Sequence, residues 1–415
     1  MPTINLKYGK SELPFSFDEN QFEVLTGDID RKPLSDAEIG EKLENPFDSG
    51  PLEEIIAPDE TVLIVVPDAT RNAGCGQVIN LLVRRLIAGG VMPFNINIIF
   101  ANGIHRNVTP EEEKEILTPF IAQRIKTFNH DARDLLQFVR LGETSGGIPI
   151  ELNRKLNEYD RVITIGGITF HYFAGFSGGR KMICPGLASS RTISATHKLA
   201  FDCEKLNRRA GVGAGQLAGN PVHEAFIEIV EQKPPDFAIN TITNEDGEVL
   251  DVISGNWKTS HEKACEIFAA DHTLKFSGKR ETVIVSGGGF PLDINMIQAH
   301  KALESAAEVC TEGGTIYFLA ECSKGLGRND FIDWFEAENS RKLGEKLCKK
   351  YQVNGQTAWS LLRKAEKFNI KILTNLVQEV TKKMRLKKIL SLAEIDKNKK
   401  GYIIPFGAKF KFTKA

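Results

Sequence analysis

Residues 61–66 read Thr-Val-Leu-Ile-Val-Val, an apolar and largely β-branched run with no polar alternation. A strand with one wet face alternates polar and apolar residues; a strand without alternation is covered on both faces. That requirement points to a parallel sheet between two layers of helices. The sequence after the run agrees. A polar turn, Pro67 to Arg71, leads into a helical pattern from Gln77 to Ala88 that stops at Gly89-Gly90. The unit then recurs. Asn95 to Phe100 reads as a strand, Ala101 to Arg106 as its loop, and the next helix opens with Thr109 as N-cap, Pro110 at N1 and Glu112 as capping-box partner. A third strand, Arg161 to Ile165, delivers a glycine-rich segment followed by a helix over roughly 190–200. Asp236 to Thr243 reads as a further strand, with Asn244 to Gly247 as a hairpin turn.

A second series begins near Glu281: strand Thr282 to Val285, a loop from Ser286 to Asn295 with three glycines, a helix from Met296 to Cys310, strand Gly314 to Leu319, and a later strand Lys371 to Leu373. A chain of 415 residues exceeds one ordinary core. The expected architecture is therefore α/β: two α/β domains with mostly parallel sheets and an interdomain active-site cleft. Residues 1–275 form the N-terminal cofactor-binding domain, residues 276–399 the smaller C-terminal domain, and the tail 400–415 returns to the first.

Charge excludes some classes of partner. With 53 basic and 54 acidic residues the net charge is -1, so nothing draws the chain to nucleic acid or anionic membrane. The N-terminus lacks an apolar leader, and no window is apolar enough to span a bilayer. The seven cysteines (Cys75, Cys184, Cys203, Cys265, Cys310, Cys322 and Cys348) are scattered and never form Cys-x-x-Cys. They read as reduced thiols of a cytoplasmic protein rather than zinc ligands. The lysine-rich stretch from Lys382 to Lys400 reads as a solvated helix face.

Ligands of open α/β sheets sit where the loops after the strands converge. Four polar clusters fall at such places: Asp68-Ala69-Thr70-Arg71, His105-Arg106, the run His171-Tyr172-Phe173-Ala174-Gly175-Phe176-Ser177-Gly178-Gly179-Arg180-Lys181, and Gln298 with Lys301. Glycines let a backbone approach a phosphate without Cβ obstruction. Arg180 and Lys181 side by side read as an anion site, while a Lys in such a pocket can also serve as an amine nucleophile. A lone loop histidine is usually structural. Two, His105 and His171, at equivalent strand ends suit a base and an acid on opposite faces of a carbon centre. His197 is core or surface by default, with metal ligation as the minority reading.

The run His171 to Lys181, continued by Met182-Ile183-Cys184-Pro185-Gly186 to His197, closely resembles the nickel-dependent lactate racemase family. Asp68-Ala69-Thr70-Arg71, Gly103-Ile104-His105-Arg106, Gly289-Phe290-Pro291-Leu292-Asp293 and Gln298-Ala299-His300-Lys301 resemble it too, in order and over nearly the whole chain. The resemblance implies a nickel-pincer nucleotide (a Ni(II) pyridinium-3,5-bisthiocarboxylate mononucleotide) attached covalently to Lys181. It further implies His197 as the protein's nickel ligand, and the Asp68–Arg71 turn with Ser177, Gly178 and Gly179 as the cofactor's seat. His105 and His171 become the acid/base pair, and Arg71, Gln298 and Lys301 orient the substrate. The implied activity is a racemase or epimerase inverting C2 of a 2-hydroxy carboxylic acid, by proton-coupled hydride transfer through a 2-keto acid. The implied partners are the small 2-hydroxy acid and the proteins that synthesise the cofactor. Ile297 stands where the lactate pattern has Tyr, and Gln356 near its Trp, with Trp359 three residues on. Larger or more polar hydroxy acids, aldonates included, thus stand beside lactate as substrates. The competing readings are a net 2-hydroxyacid oxidoreductase of the same pocket and a non-catalytic phosphate-ligand binder.

Overall fold

A computed structural model describes residues 1–27, 31–71 and 73–415. Among these, residues 31–200 with 210–270 form one compact unit, and residues 1–27 with 201–209 and 271–415 form a second.

The first unit is built on a six-stranded sheet. Its spatial order is Val249–Gly255, Phe237–Thr243, Arg161–Gly167, Val62–Pro67, Ile96–Ala101, Lys126–Asn129. Every neighbouring pair is parallel except Val249–Gly255, which folds back antiparallel on Phe237–Thr243 through the expected Asn244–Gly247 turn. All six residues of Val62–Pro67 are buried, as the unbroken apolar run requires. Val62, Ile64 and Val66 join a core with Val78, Ile79 and Leu82 of the Cys75–Ala88 helix. The Pro110–Leu117 helix starts as expected: the Thr109 hydroxyl accepts from the Glu112 amide, and the Glu112 carboxylate accepts from the Thr109 amide.

The second unit has an all-parallel sheet in the order Lys387–Ile389, Asn369–Leu373, Cys310–Leu319, Arg280–Ser286, Gly401–Ile404, Phe22–Val24. Its faces carry separate cores, one through Val283 and Val285 and the other through Ile284.

Five expectations change here. The tail does not return to the first domain: Gly401–Ile404 lies between Arg280–Ser286 and Phe22–Val24, and Lys411–Lys414 pairs with Thr273–Phe276. An extended tail offers the same backbone donors to any open edge, so only the assembled sheets choose its partner. The first 27 residues and the 201–209 hairpin likewise belong to the second unit. The 296–310 helix breaks into Met296–Ala299 and Ala302–Val309. The basic stretch is α-helical only over Gln378–Lys383; Lys387–Ile389 is an edge strand, where lysines discourage pairing with other chains. Finally, Cys203 and Cys348 form a disulfide. A separation of 145 residues hides that pair from any spacing rule, and the pairing removes the thiol argument for a reducing compartment. The other five cysteines are buried and free. Among the described residues no helix is long and apolar enough to cross a membrane.

Candidate active site

The first sheet is wound in two directions from its centre. From Val62–Pro67 the chain proceeds outward through Ile96–Ala101 to Lys126–Asn129; on the other side it proceeds from Arg161–Gly167 to Phe237–Thr243. The loops after the two central strands therefore diverge and leave a crevice, the topological switch point where such sheets bind ligands. The Asp68–Arg71 turn and the glycine-rich loop follow these two strands. The loop bearing His105 follows the neighbouring one, stitched to the glycine-rich segment by the Gly103 amide, which donates to the Gly186 carbonyl at 3.0 Å.

Asp68 is 5% exposed. Its Oδ1 accepts from the Thr70 amide (3.0 Å) and hydroxyl (2.6 Å), and its Oδ2 lies 2.5 Å from His105 Nδ1. Burial alone would raise this carboxyl. The opposing effects of the His105 ring, the Arg71 charge and the Thr70 hydroxyl win and hold it well below the usual carboxylate range. An ionised carboxylate only accepts, so His105 Nδ1 carries the hydrogen and the neutral ring presents its lone pair at Nε2.

His171 has the opposite arrangement. It is buried, and the Ala174 amide donates to its Nδ1 at 3.2 Å. The neutral ring then carries its hydrogen at Nε2. The two imidazoles that the sequence singles out thus offer complementary faces, one a lone pair and the other an N–H.

The loop is held from within. Arg180 is fully buried; its Nη2 donates to the Ala174 carbonyl (2.7 Å) and its Nη1 to His261 Nε2 (3.0 Å). Burial lowers this guanidinium to about 10. Arg180 therefore braces the loop rather than offering itself to a phosphate, a correction to the paired-cation reading. The glycines also face inward. Gly178 (φ +66°) would aim a Cβ at Ile168, 2.8 Å away, and Gly179 (φ +48°) would drive one into the His261 ring. Their lack of a side chain serves packing of the loop onto its own unit. The Ser177 hydroxyl is likewise engaged with the Gly167 carbonyl (2.7 Å) and the Thr169 amide (2.8 Å).

Phe173 is the hub that sequence reasoning missed. Its ring lies 4.4 Å from that of His171 and 5.0 Å from that of His197, and Lys181 Nζ stands 6.0 Å from its centroid. An aromatic inside a glycine-rich run gives no signal for such a role. His197, on the Ser190–Lys198 helix, is buried. Burial first, then the Lys181 charge, push its imidazole down to about 3. It is neutral near pH 7 and keeps a lone pair for a metal. Among the described residues no group of three His, Cys, Asp or Glu side chains could hold a metal ion. A metal at His197 would take its other ligands from a bound group.

The structure thus gathers Asp68, Ala69, Thr70, Arg71, His105, His171, Ser177, Gly178, Gly179, Lys181 and His197 in the first unit. Gln298 and Lys301 lie in the second, where Lys301 Nζ donates to Gln298 Oε1 at 2.6 Å. There Gln356 is buried and accepts from the Tyr351 hydroxyl (2.6 Å), and Trp359 packs edge-on against Phe201.

A doubly wound α/β unit with two imidazoles and an amine at its switch point is the frame of an enzyme acting on a small molecule. The profile of the lactate racemase N-terminal domain matches residues 8–208, and that of the lactate racemase C-terminal domain matches residues 277–402. Lactate racemase of Lactiplantibacillus plantarum is 31% identical over 336 residues, 80% of this chain and 77% of that protein. The lactate racemase of Thermoanaerobacterium thermosaccharolyticum is 28% identical over 340 residues, 81% of this chain and 78% of that protein. The solved lactate racemase apoprotein from the latter organism superposes with a TM-score of 0.87 at 26% identity, covering 99% of this chain and 100% of that one. A Thermotoga maritima protein shares the fold, with a TM-score of 0.73 at 22% identity over 92% of this chain and 99% of that one. The chain belongs to the lactate racemase family and is an isomerase.

Proposed function

We propose that the protein racemises or epimerises a 2-hydroxy carboxylic acid at C2, with a nickel-pincer nucleotide held in the first unit. The observation that carries the reading is the complementary pair of imidazoles, His105 and His171, in the unit that also holds Lys181 and His197. Lys181 would hold the nucleotide through its amine, His197 would ligate the nickel, and the Asp68–Arg71 turn would seat the remainder. That cofactor supplies a hydride acceptor, which the reaction needs because C2 of a hydroxy carboxylate is too weak an acid for a general base contributing ~10²–10⁴-fold.

The chain's own residues handle the proton and the geometry. His105 Nε2 takes the hydroxyl proton, and Asp68 stabilises the imidazolium that forms. On the other face His171, as imidazolium, returns a proton from Nε2. The imidazolium carries hydrogens at both nitrogens, and the ring left after the transfer keeps its hydrogen at Nδ1, so both forms give up the 3.2 Å contact from the Ala174 amide. Phe173 packs edge-on against both His171 and His197. The Gln298–Lys301 pair keeps the substrate-orienting role that its motif implies.

The test uses protein co-produced with the cofactor-synthesis partners and pure enantiomers of several 2-hydroxy acids, lactate and aldonates included. Chiral chromatography should show enantiomer exchange without keto-acid accumulation. Intact-mass spectrometry should show an adduct on the wild type and none on Lys181→Ala. An unchanged adduct in that variant, or stoichiometric keto acid, would overturn the proposal.

A further inference from the structure

We infer that the second unit carries an additional binding site: a cationic cavity that takes a compact polyanion bearing phosphate or carboxylate groups. The cavity has a volume of about 360 Å³, within the range of small-molecule sites. It lies between the Val353–Lys367 helix and the 201–208 hairpin, and Arg208, Lys279, Arg363, Lys364 and Lys367 line it against Glu304 and Glu312.

Charge balance inside the cavity is uneven. Glu304 is already matched: Arg208 lies at 2.9 Å and Lys364 Nζ at 2.5 Å, and the Ser360 hydroxyl donates at 2.9 Å. That leaves Lys279, Arg363 and Lys367 with Glu312 alone, 3.9 Å from Lys367. Positive charge lining a concave wall focuses the potential and attracts anions.

Two features separate this cavity from an ordinary patch of surface lysines. Lys364 is buried, only 8% exposed, and its ammonium is fixed in the wall by the Glu304 carboxylate and the Ser360 hydroxyl. Arg363 is pre-oriented: its Nη1 donates to Asn207 Oδ1, and the guanidinium lies 5.2 Å from the centroid of the Trp359 ring. A guanidinium fixed in plane is a fork for bidentate contact with phosphate or carboxylate. The Arg208–Glu304 pair and the Asn207 contact tie the hairpin into this wall. Nothing in the proposed racemase chemistry uses these residues.

Trp359 supplies the readout, since it lines the cavity and touches Arg363. Intrinsic fluorescence of the full chain is titrated with inorganic pyrophosphate and, separately, with citrate, at ionic strength held constant with potassium chloride. A saturable change absent from Trp359→Phe is expected, and the tighter of the two ligands assigns phosphate or carboxylate. Arg363→Gln combined with Lys367→Gln should weaken binding about tenfold or more, the equivalent of one charge-assisted hydrogen bond. Should that variant melt early, Lys279→Gln with Lys367→Gln, both on exposed positions, is expected to weaken binding in the same direction. A response that never saturates, that chloride reproduces, or that both double variants retain would overturn the inference.

Discussion

Asp68→Asn tests the assignment of His105 most sharply, because the structure dictates which way the new amide must face. The Thr70 amide can only donate, and it donates to Oδ1. The asparagine carbonyl must stay at that position. Its NH₂ group then occupies the Oδ2 position, 2.5 Å from His105 Nδ1 in the wild type. A donor facing Nδ1 forces that nitrogen to accept, so the hydrogen moves to Nε2 and the lone pair that takes the substrate proton is lost. The variant loses little volume and one charge, yet it should lose most of the general-base contribution, ~10²–10⁴-fold in kcat. That corresponds to about 3–5 kcal/mol of barrier at 1.36 kcal/mol per tenfold. The assay is enantiomer exchange by the cofactor-loaded enzyme, followed by chiral chromatography. A second readout is independent of activity: ¹⁵N chemical shifts of the His105 ring should report the hydrogen on Nδ1 in the wild type and on Nε2 in the variant. A variant within about threefold of wild type in kcat, or one whose shifts still place the hydrogen on Nδ1, would refute the reasoning.

Further outcomes follow from packing and burial. Gly179→Ala places a methyl against His261 at a φ of +48°; left-handed strain of about 1–2 kcal/mol and overpacking of about 1–3 kcal/mol should lower the calorimetric Tm of the first unit by several degrees. An unchanged Tm would mean that the loop is not held as described. Asp68 is held below its unfolded value near 3.9, so its pairing stabilises the fold above that pH and the benefit is lost as the pH falls further. Asp68→Asn should therefore flatten the acid end of the stability curve. His130 is buried between the Ala188 carbonyl and the Asn153 amide, and burial lowers it to about 4. Its unfolded value near 6.5 is higher, so its effect on stability is absent above pH 6.5 and grows to roughly 3 kcal/mol of loss as the pH falls to 4. Replacing His130 with a residue that does not titrate should remove that slope from urea melts taken across this range, whatever it does to stability at pH 7.

The candidate site shows how far local chemistry carries and where it stops. His105, His171 and Lys181 stand out because reactive side chains at strand ends and in a glycine-rich turn have few structural uses; His197, on a helix, is singled out only by the family resemblance. The inward purpose of Gly178 and Gly179 does not stand out, because a glycine that frees space for a ligand and one that frees space for His261 are the same letter. Arg180 and Lys181 are neighbours in sequence and both basic, yet one is sealed behind the loop and the other reaches toward Phe173. In a one-turn 3-10 segment, Gly179–Met182, consecutive side chains point about a third of a turn apart.

Periodicity and capping are local, and they determined the α/β character of the chain: the unbroken 61–66 run required a strand covered on both faces, and Thr109, Pro110 and Glu112 required a helix start. Pairing between distant segments is not local. Which sheet the Gly401–Ile404 strand enters, the union of Cys203 with Cys348, the seat of Arg180 against His261, and the gathering of two histidines and a lysine around Phe173 depend on what the rest of the chain presents once folded. An edge strand, a thiol or a buried guanidinium is satisfied by any partner of suitable geometry, and only the tertiary structure supplies that geometry.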